Sequence, residues 1–442
     1  MNSFDWKSYI SNYEDLRKAN INTKEKAWNH WINYGRKEGR NCNPSNPSIL
    51  VNSNNPSILV NSNNPSIQTN PSIQKSIIIP NKIKIKYYSY HKGSGYGDSA
   101  LAYVEVLKSG GIHVDSFIGV NYVYSDNVYD IVIIQTIPDH YPDICSSERI
   151  NNKNIKIFGF TMWESDRIPS NWATIINSHV DYLIVPCEWN KFIFSKDVSK
   201  PIYVIHQVIK LIPMNIQSNI MDGINDSDYV FYTIGQWNAR KRIDILIRAY
   251  LKTFTKTDNV VLFVKTFLNG YDDYDKIILS QHINYIINEF PNPARIIYNL
   301  DYINDNDIYS IHKRGNCFVS SSASEAIGLG LCTATLMNKR IIATGYGGQL
   351  EYLRDVDFIK YKIIPVKMCG YPPGHTDCNT NCIRYPWYNE TQKWAEADNE
   401  HLCELMLNAY QNKLIGNEST KKFIEDNFNE IKIFNEFKQI IN

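Results

Sequence analysis

The sequence lacks any long apolar run. No stretch of its 442 residues approaches the roughly 18 apolar side chains of a membrane-spanning helix, and the opening MNSFDWKSYISNYEDLRK has no apolar core such as a secretory signal carries. A dominant charge is missing too. The 46 Lys and Arg residues are offset by 45 Asp and Glu, so nothing builds a surface that tracks a phosphate backbone, which argues against a nucleic-acid partner. Cysteine is sparse: nine residues, an odd number and mostly scattered, fit free thiols in a reducing compartment better than a disulfide framework. These shortages together predict a soluble, cytoplasmic protein with no integral membrane segment.

What is present suits two domains of ordinary size plus extra segments. Residues 1–41 read as a small helical module, with Asn22 as a cap and Glu25 three positions on. Ala27, Trp28, Trp31 and Ile32 recur at helical spacing, and Gly35 is placed to stop the helix. Residues 42–80 repeat NPSILVNSN twice and then shorten to NPSIQT and NPSIQ. With Pro47, Pro56, Pro65 and Pro71 and few large side chains to bury, this stretch reads as an extended tether. After Pro80, short and nearly continuous apolar strands alternate with helices. KIKIKYYSY, YDIVIIQT, IKIFGFTM, DYLIVP and PIYVIHQVI form one series over residues 81–212. DYVFYTIGQWN, NVVLFVKTF, ARIIYNLD, NCFVSSS and KRIIATG form a second over 213–415. Such a pattern predicts an α/β protein with two Rossmann-like domains facing a cleft, and ligands bound beyond the carboxyl ends of the strands. In the last segment, 416–442, the stretch Ser419 to Phe437 reads as a helix packing back on the first domain.

A diphosphate needs backbone amides and positive charge, which helix N-termini supply. Three segments qualify. GSGYG, Gly93 to Gly97, follows the first strand, with Gly95, Tyr96 and Gly97 as contact candidates or simply a structural turn. GQWNARKRID, Gly235 to Asp244, carries Gln236, Arg240 and Lys241, which are either a binding loop or a solvated basic surface. SEAIGLG, Ser324 to Gly330, sets Glu325 before Ile327, Gly328 and Leu329 at a helix start. Asp305–Asn306–Asp307 and Asp355–Val356–Asp357 have a metal-diphosphate spacing, but the first sits at a helix start and no metal is expected at either. Cys369, His375, Cys378 and Cys382 share a Pro/Gly-rich loop without paired C-x-x-C spacing, and free thiols are the reading ahead of zinc. Trp163, Trp172 and Trp189 are core residues or sugar-stacking ones.

Taken together, these segments resemble glycosyltransferase family 4 over Ile83 to about Met406. EAIGLGLCTATLMNKRIIAT follows the family signature E-G-F-G-L-P-x-x-E-A-M-A-x-G-K-P-V-I-A-T without a gap, with Glu325, Gly328, Leu329, Ala334, Lys339, Ala343 and Thr344 in register. GQWNARKRID answers G-R-L-x-x-x-K-G-I-D and aligns Lys241 with the phosphate-binding lysine. FTMWESDRIPSNW and DYLIVPCEWN are similar to a T-x-WE-x-D-x-x-P segment and a V-D-x-x-x-V-P-S-x-W-N segment of one branch. The N-terminal Asp5, Trp6, Tyr9, His30, Trp31, Gly35, Glu38, Gly39 and Arg40 resemble a short module carried by some glycosyltransferases; a plain helical hairpin is the other reading.

The resemblance implies a GT-B fold and retaining transfer of a hexose from a UDP- or GDP-sugar to a glycan or protein acceptor. The nucleotide-sugar is then a substrate, with no separate cofactor and no dedicated metal. It implies catalytic roles for Glu325 and Glu164, with Glu325 on the donor sugar and Glu164 on sugar or acceptor. The amides of Ile327, Gly328 and Leu329 would lie near the sugar or diphosphate and Lys241 at the leaving group. Two positions depart from the pattern: Thr333 stands where the family has a ribose-binding glutamate, and Gln236 where it has a diphosphate-binding arginine. Arg240 is the candidate to replace that arginine. The departures keep two alternatives open, an inactive GT-B scaffold that binds sugar or partners and a sugar-nucleotide epimerase.

Overall fold

The computed structural model describes residues 6–19, 21–30, 83–210, 212–213, 215–367, 386–413 and 416–441. Near the N-terminus, α1 (Trp6–Asn12), α2 (Glu14–Lys18) and α3 (Lys24–His30) gather around Tyr9, Leu16 and Ala27, and the Tyr9 hydroxyl lies 3.2 Å from His30 Nδ1. Helix α3 begins one residue later than its expected cap. Thr23 Oγ1 accepts from Lys26 N at 3.3 Å, so Thr23 and not Asn22 occupies the capping position. Trp31, Ile32, Gly35, Glu38, Gly39, Arg40, the repeat tether and the loop carrying Cys369 to Cys382 lie outside the described residues.

The rest of the chain forms a separate unit. It begins with β1 (Lys84–Ser89), α4 (Gly95–Ser109), β2 (His113–Ile118), β3 (Ile131–Gln135), α5 (Tyr141–Asn151), β4 (Lys156–Phe160), α6 (Ser170–His179), β5 (Tyr182–Val185), α7 (Glu188–Phe194) and β6 (Ile202–Val204). These strands make one parallel six-stranded sheet in the order β2-β1-β3-β4-β5-β6. There follow β7 (Tyr229–Gln236), α8 (Ile243–Thr253), β8 (Val260–Phe267), α9 (Asp273–Asn288), β9 (Arg295–Asn299), α10 (Asp305–Arg314), β10 (Cys317–Ser320), α11 (Leu329–Leu336), β11 (Arg340–Thr344) and β12 (Asp357–Ile359). They make a second parallel six-stranded sheet, β12-β11-β10-β7-β8-β9. An antiparallel pair, β13 (Tyr361–Pro365) and β14 (Lys393–Ala397), leads to α12 (Asn399–Asn412), α13 (Glu418–Asn427) and α14 (Glu430–Ile441).

Both sheets are buried on both faces, and that is why IVIIQ and VVLFVKTF read as unbroken apolar runs instead of alternating ones. In the first domain one face packs under α4 and α14 through Tyr87, Ile133, Tyr103 and Phe437, the other under α5 and α6 through Ile134, Ile144 and Trp172. In the second, Phe231, Leu262 and Val264 face α8, α9 and α12, while Val230, Phe263 and Ile341 face α10, α11 and α13. The C-terminal segment is two helices where the pattern suggested one. Helix α13 packs on α11 in the second domain and α14 on α4 in the first, so the chain turns at Phe428 and Asn429 to reach both. Among the described residues no helix is long and apolar enough to cross a membrane.

Candidate functional site

The basic loop between β7 and α8 is held by short polar side chains. Asn238 Oδ1 accepts from the backbone N–H of Arg240 (3.1 Å) and Lys241 (2.9 Å). Ala323 N donates to Arg240 O at 2.7 Å and the Ser321 hydroxyl to Arg242 O at 2.7 Å. The SSS run after β10 thus fastens this loop against the head of α11. Asn238 and Ser321 were not singled out from sequence; an Asx residue followed by a basic run was the available signal.

Glu325 lies between the loop and the helix, only 6% exposed. One carboxylate oxygen accepts from Lys241 Nζ and the other from Arg240 Nη1 at 2.9 Å. Burial pushes the Glu325 carboxyl up, but Lys241 and Arg240 outweigh it and hold it down at about 2, so it is ionised at neutral pH. Burial also pulls the Lys241 ammonium down, with Glu325 opposing. Gly328, with φ +81°, turns the chain into α11, whose first amides have no intrahelical acceptor. The Ile327 carbonyl accepts the Tyr352 hydroxyl at 2.6 Å, which steadies this turn.

The first domain enters through Glu164, in the loop after β4. It lies 3.4 Å from Arg240 Nη2 and accepts the Tyr388 hydroxyl at 3.0 Å. Arg240 therefore bridges a carboxylate from each domain, and the charges run Glu164, Arg240, Glu325, Lys241 across the cleft. The guanidinium also donates to Ser324 O at 2.7 Å. Residues 386–393 of the second domain strap across the same seam. Tyr388 stacks on Trp163 at 4.4 Å, Trp387 and Trp172 both donate to Asp139, and Asp166 exchanges backbone and carboxylate bonds with Lys393. The segment FTMWESD is thus one of the places where the two domains join.

The other predicted residues fall at varied places. The Tyr96 hydroxyl bonds Thr161 Oγ1 (3.0 Å) and Met162 O (3.1 Å), which pins the start of α4 to the Glu164 loop. A Cβ at Gly97 would come within 1.9 Å of the His91 carbonyl oxygen, whereas one at Gly95 would meet open space. Gln236 donates to Leu268 O at 2.7 Å, and the Thr333 hydroxyl donates to Leu329 O at 3.1 Å inside its own helix. Asp305 pairs with Lys92, Asp307 takes part in the cap of α10, Asp357 pairs with Arg340, and Asp355 accepts from Ser419. Trp163 and Trp172 are buried, and Trp189 meets Tyr346 edge-on at 6.2 Å.

No protein-family model matches the chain, and no curated protein matches it. Solved structures do. Sucrose-phosphate synthase of Thermosynechococcus elongatus superposes with a TM-score of 0.55 at 12% identity, over 81% of this chain and 98% of that one. The fold is GT-B. The N-terminal domain of Candida albicans trehalose-6-phosphate phosphatase matches at a TM-score of 0.50 and 7% identity, over 82% and 97%. S. aureus TarM, solved with UDP, matches at 0.45 and 14% identity over 71% of this chain, which spans 55% of TarM. The charge chain from Glu164 to Lys241 lies where the two domains of this fold meet.

Proposed function

We propose that this protein is a glycosyltransferase that moves a hexose from a UDP- or GDP-sugar to a glycan or protein acceptor with retention of configuration. The observation that carries the reading is the buried, ionised Glu325 held by Lys241 and Arg240 at the N-terminus of α11. During transfer the C1–O bond to the diphosphate breaks, the acceptor oxygen bonds C1, and the acceptor proton leaves with the nucleoside diphosphate. Positive charge grows on the sugar beside Glu325, and negative charge grows on the diphosphate beside Lys241 and the first amides of α11. Glu164 faces this chemistry from the acceptor domain. The GT-B fold shared with sucrose-phosphate synthase supports the reading, and the family resemblance supplies retention without a dedicated metal.

The test is a panel of UDP-, GDP- and ADP-sugars with nucleotide release as readout and NMR of the product anomer. One donor is expected to turn over with retention, and Glu325→Gln is expected to lower kcat/KM by roughly a hundredfold or more. Thermal-shift binding without release from any donor would favour a sugar-binding scaffold instead. The side chains of Gln236 and Thr333, each bonded to a nearby backbone carbonyl, are what give that second reading its weight.

A further inference from the structure

The backbone that carries Glu164 is fixed on both sides of it. Trp163 donates its backbone N–H to Asn190 Oδ1 on α7 at 3.2 Å, and Asn190 Nδ2 returns a bond to Trp163 O at 2.7 Å. The Trp163 indole Nε1 donates to Ser165 Oγ at 2.7 Å and to Arg167 O at 2.8 Å, so the turn closes on itself. Just beyond, Asp166 N donates to Lys393 O at 3.0 Å while Asp166 Oδ1 accepts from Lys393 N at 2.6 Å. The backbone does not decide where the carboxylate points, because a long glutamate side chain still has several rotamers open to it.

The second domain decides that. Tyr388 donates its hydroxyl to Glu164 Oε2 at 3.0 Å, and Arg240 Nη2 lies 3.4 Å from Oε1. The Tyr388 ring is itself held: it stacks on Trp163 at 4.4 Å with 27° between the planes, and lies 5.9 Å from the Trp394 ring of β14. Its neighbour Trp387 is tied down as well, Nε1 donating to Asp139 Oδ2 at 2.9 Å and the carbonyl accepting from Gln392 Nε2 at 2.8 Å. Burial, with the Glu164 charge adding to it, pushes the Tyr388 phenol well above its usual range against the pull of Arg240. The hydroxyl therefore keeps its proton and donates. Its bond brings no charge, whereas a second cation at that place would cancel the negative charge of Glu164. A carboxylate has about four lone-pair sites, and Tyr388 and Arg240 engage one on each oxygen. The Glu164 side chain remains 17% exposed, so it can still accept from hydroxyls, the groups that an acceptor presents.

We infer that Tyr388 is a positioning residue for the acceptor: its hydroxyl fixes the Glu164 carboxylate so that the remaining lone pairs meet the acceptor's hydroxyls. Tyr388 touches the end of the charge chain farthest from Lys241, so its loss falls on the acceptor and not on the donor. The inference rests on the proposed transfer reaction with Glu164 on its acceptor side, and the experiment separates the two claims. The full chain is assayed with the donor that turns over and with methyl glucoside, methyl galactoside, methyl N-acetylglucosaminide and a serine/threonine peptide as acceptors. Four proteins are compared: unaltered, Y388F, E164A and the double variant.

Y388F keeps the ring on Trp163 and is expected to fold as the parent does by circular dichroism. It is expected to lower kcat/KM for the acceptor roughly tenfold while the donor KM stays within about twofold. Because Tyr388 acts through Glu164, the double variant is expected to fall no further than E164A alone. Equal losses in the donor and acceptor parameters, or losses that add in the double variant, would reduce Tyr388 to packing and overturn the inference. If E164A lowers kcat/KM for the acceptor and Y388F does not, the inference alone is overturned. If E164A has no effect on the acceptor, the role of Glu164 fails and the inference with it. A donor that is not turned over, or is only hydrolysed, overturns the transfer reading and the inference together.

Discussion

Gly348 leaves no room for a side chain. A Cβ there would lie 2.0 Å from the Ala326 carbonyl oxygen and 2.9 Å from Cys187 Sγ, while Gly348 N donates to Glu325 O at 2.8 Å. Its neighbour Gly347, at φ +103°, also faces the Glu325 backbone: a Cβ there would lie 2.8 Å from the Glu325 carbonyl oxygen. The pair lets the loop after β11 press against the residue that carries the charge chain. Gly348→Ala must push the 325–326 backbone aside, and a stability loss of about 1–3 kcal/mol is expected in urea unfolding, together with weaker nucleotide binding. A variant equal to the parent in both measurements would show that this close approach does not position Glu325. Glu325 and Lys241 were legible from their motifs because each sits at a fixed offset from a strand end. The pairing of Arg240 with Glu164 was not, since the two belong to different domains and no local pattern relates them.

At the scale of elements, α14 belongs to the first domain although it ends the chain. Ile433, Phe437 and Ile441 recur every fourth residue on one face and join the core beside Tyr103, whose ring meets Phe437 at 5.7 Å. Gly110 makes room for this helix, since a Cβ there would stand 2.0 Å from the Phe434 ring. Phe437→Ala is expected to cost about 3–5 kcal/mol by denaturant titration, measured as a loss for the first domain and not merely a frayed tail. A loss below about 1 kcal/mol would mean that the helix is not part of that core. The single helix anticipated over Ser419 to Phe437 breaks because its halves bury against different domains: Ile424 and Phe428 in the second, Ile433 and Phe437 in the first. Apolar periodicity reveals that a face will be buried, not which surface will receive it.

For the molecule as a whole, His206 joins three parts of the chain. It leaves β6 with Nε2 2.8 Å from Glu351 of the second domain and Nδ1 2.7 Å from Glu436 of α14, and its ring stacks on Phe428 at 5.6 Å. The second oxygen of Glu351 accepts from Glu188 N at the start of α7 (2.8 Å). Burial alone would lower the imidazole pKa, but the two carboxylates outweigh it and raise it to about 9. Because the folded value lies above the unfolded one, this stabilisation is complete below about pH 6.5 and disappears as pH rises through about 9. Melting curves from pH 6 to 10 should show the parent more stable than His206→Gln at the acid end and converging with it near pH 10. A constant gap across that range would mean the imidazolium is not what joins the domains.

The amino-acid pattern alone determined the two parallel sheets, because strands buried on both faces must be continuously apolar and the helices between them amphipathic. It also located the loops that carry Glu325 and Lys241, since each follows a strand end and the turn into α11 needs glycine. The edge strands β2 and β12 and the β13–β14 pair escaped notice because they are partly exposed and less apolar. Only the tertiary structure decided which charges meet. Arg240 spans two carboxylates, the aromatic strap closes on Trp163, and Tyr388 bonds Glu164 across the domains. Those outcomes depend on segments distant in sequence being packed together and desolvated, and desolvation, not local pattern, sets the energy of a buried charge.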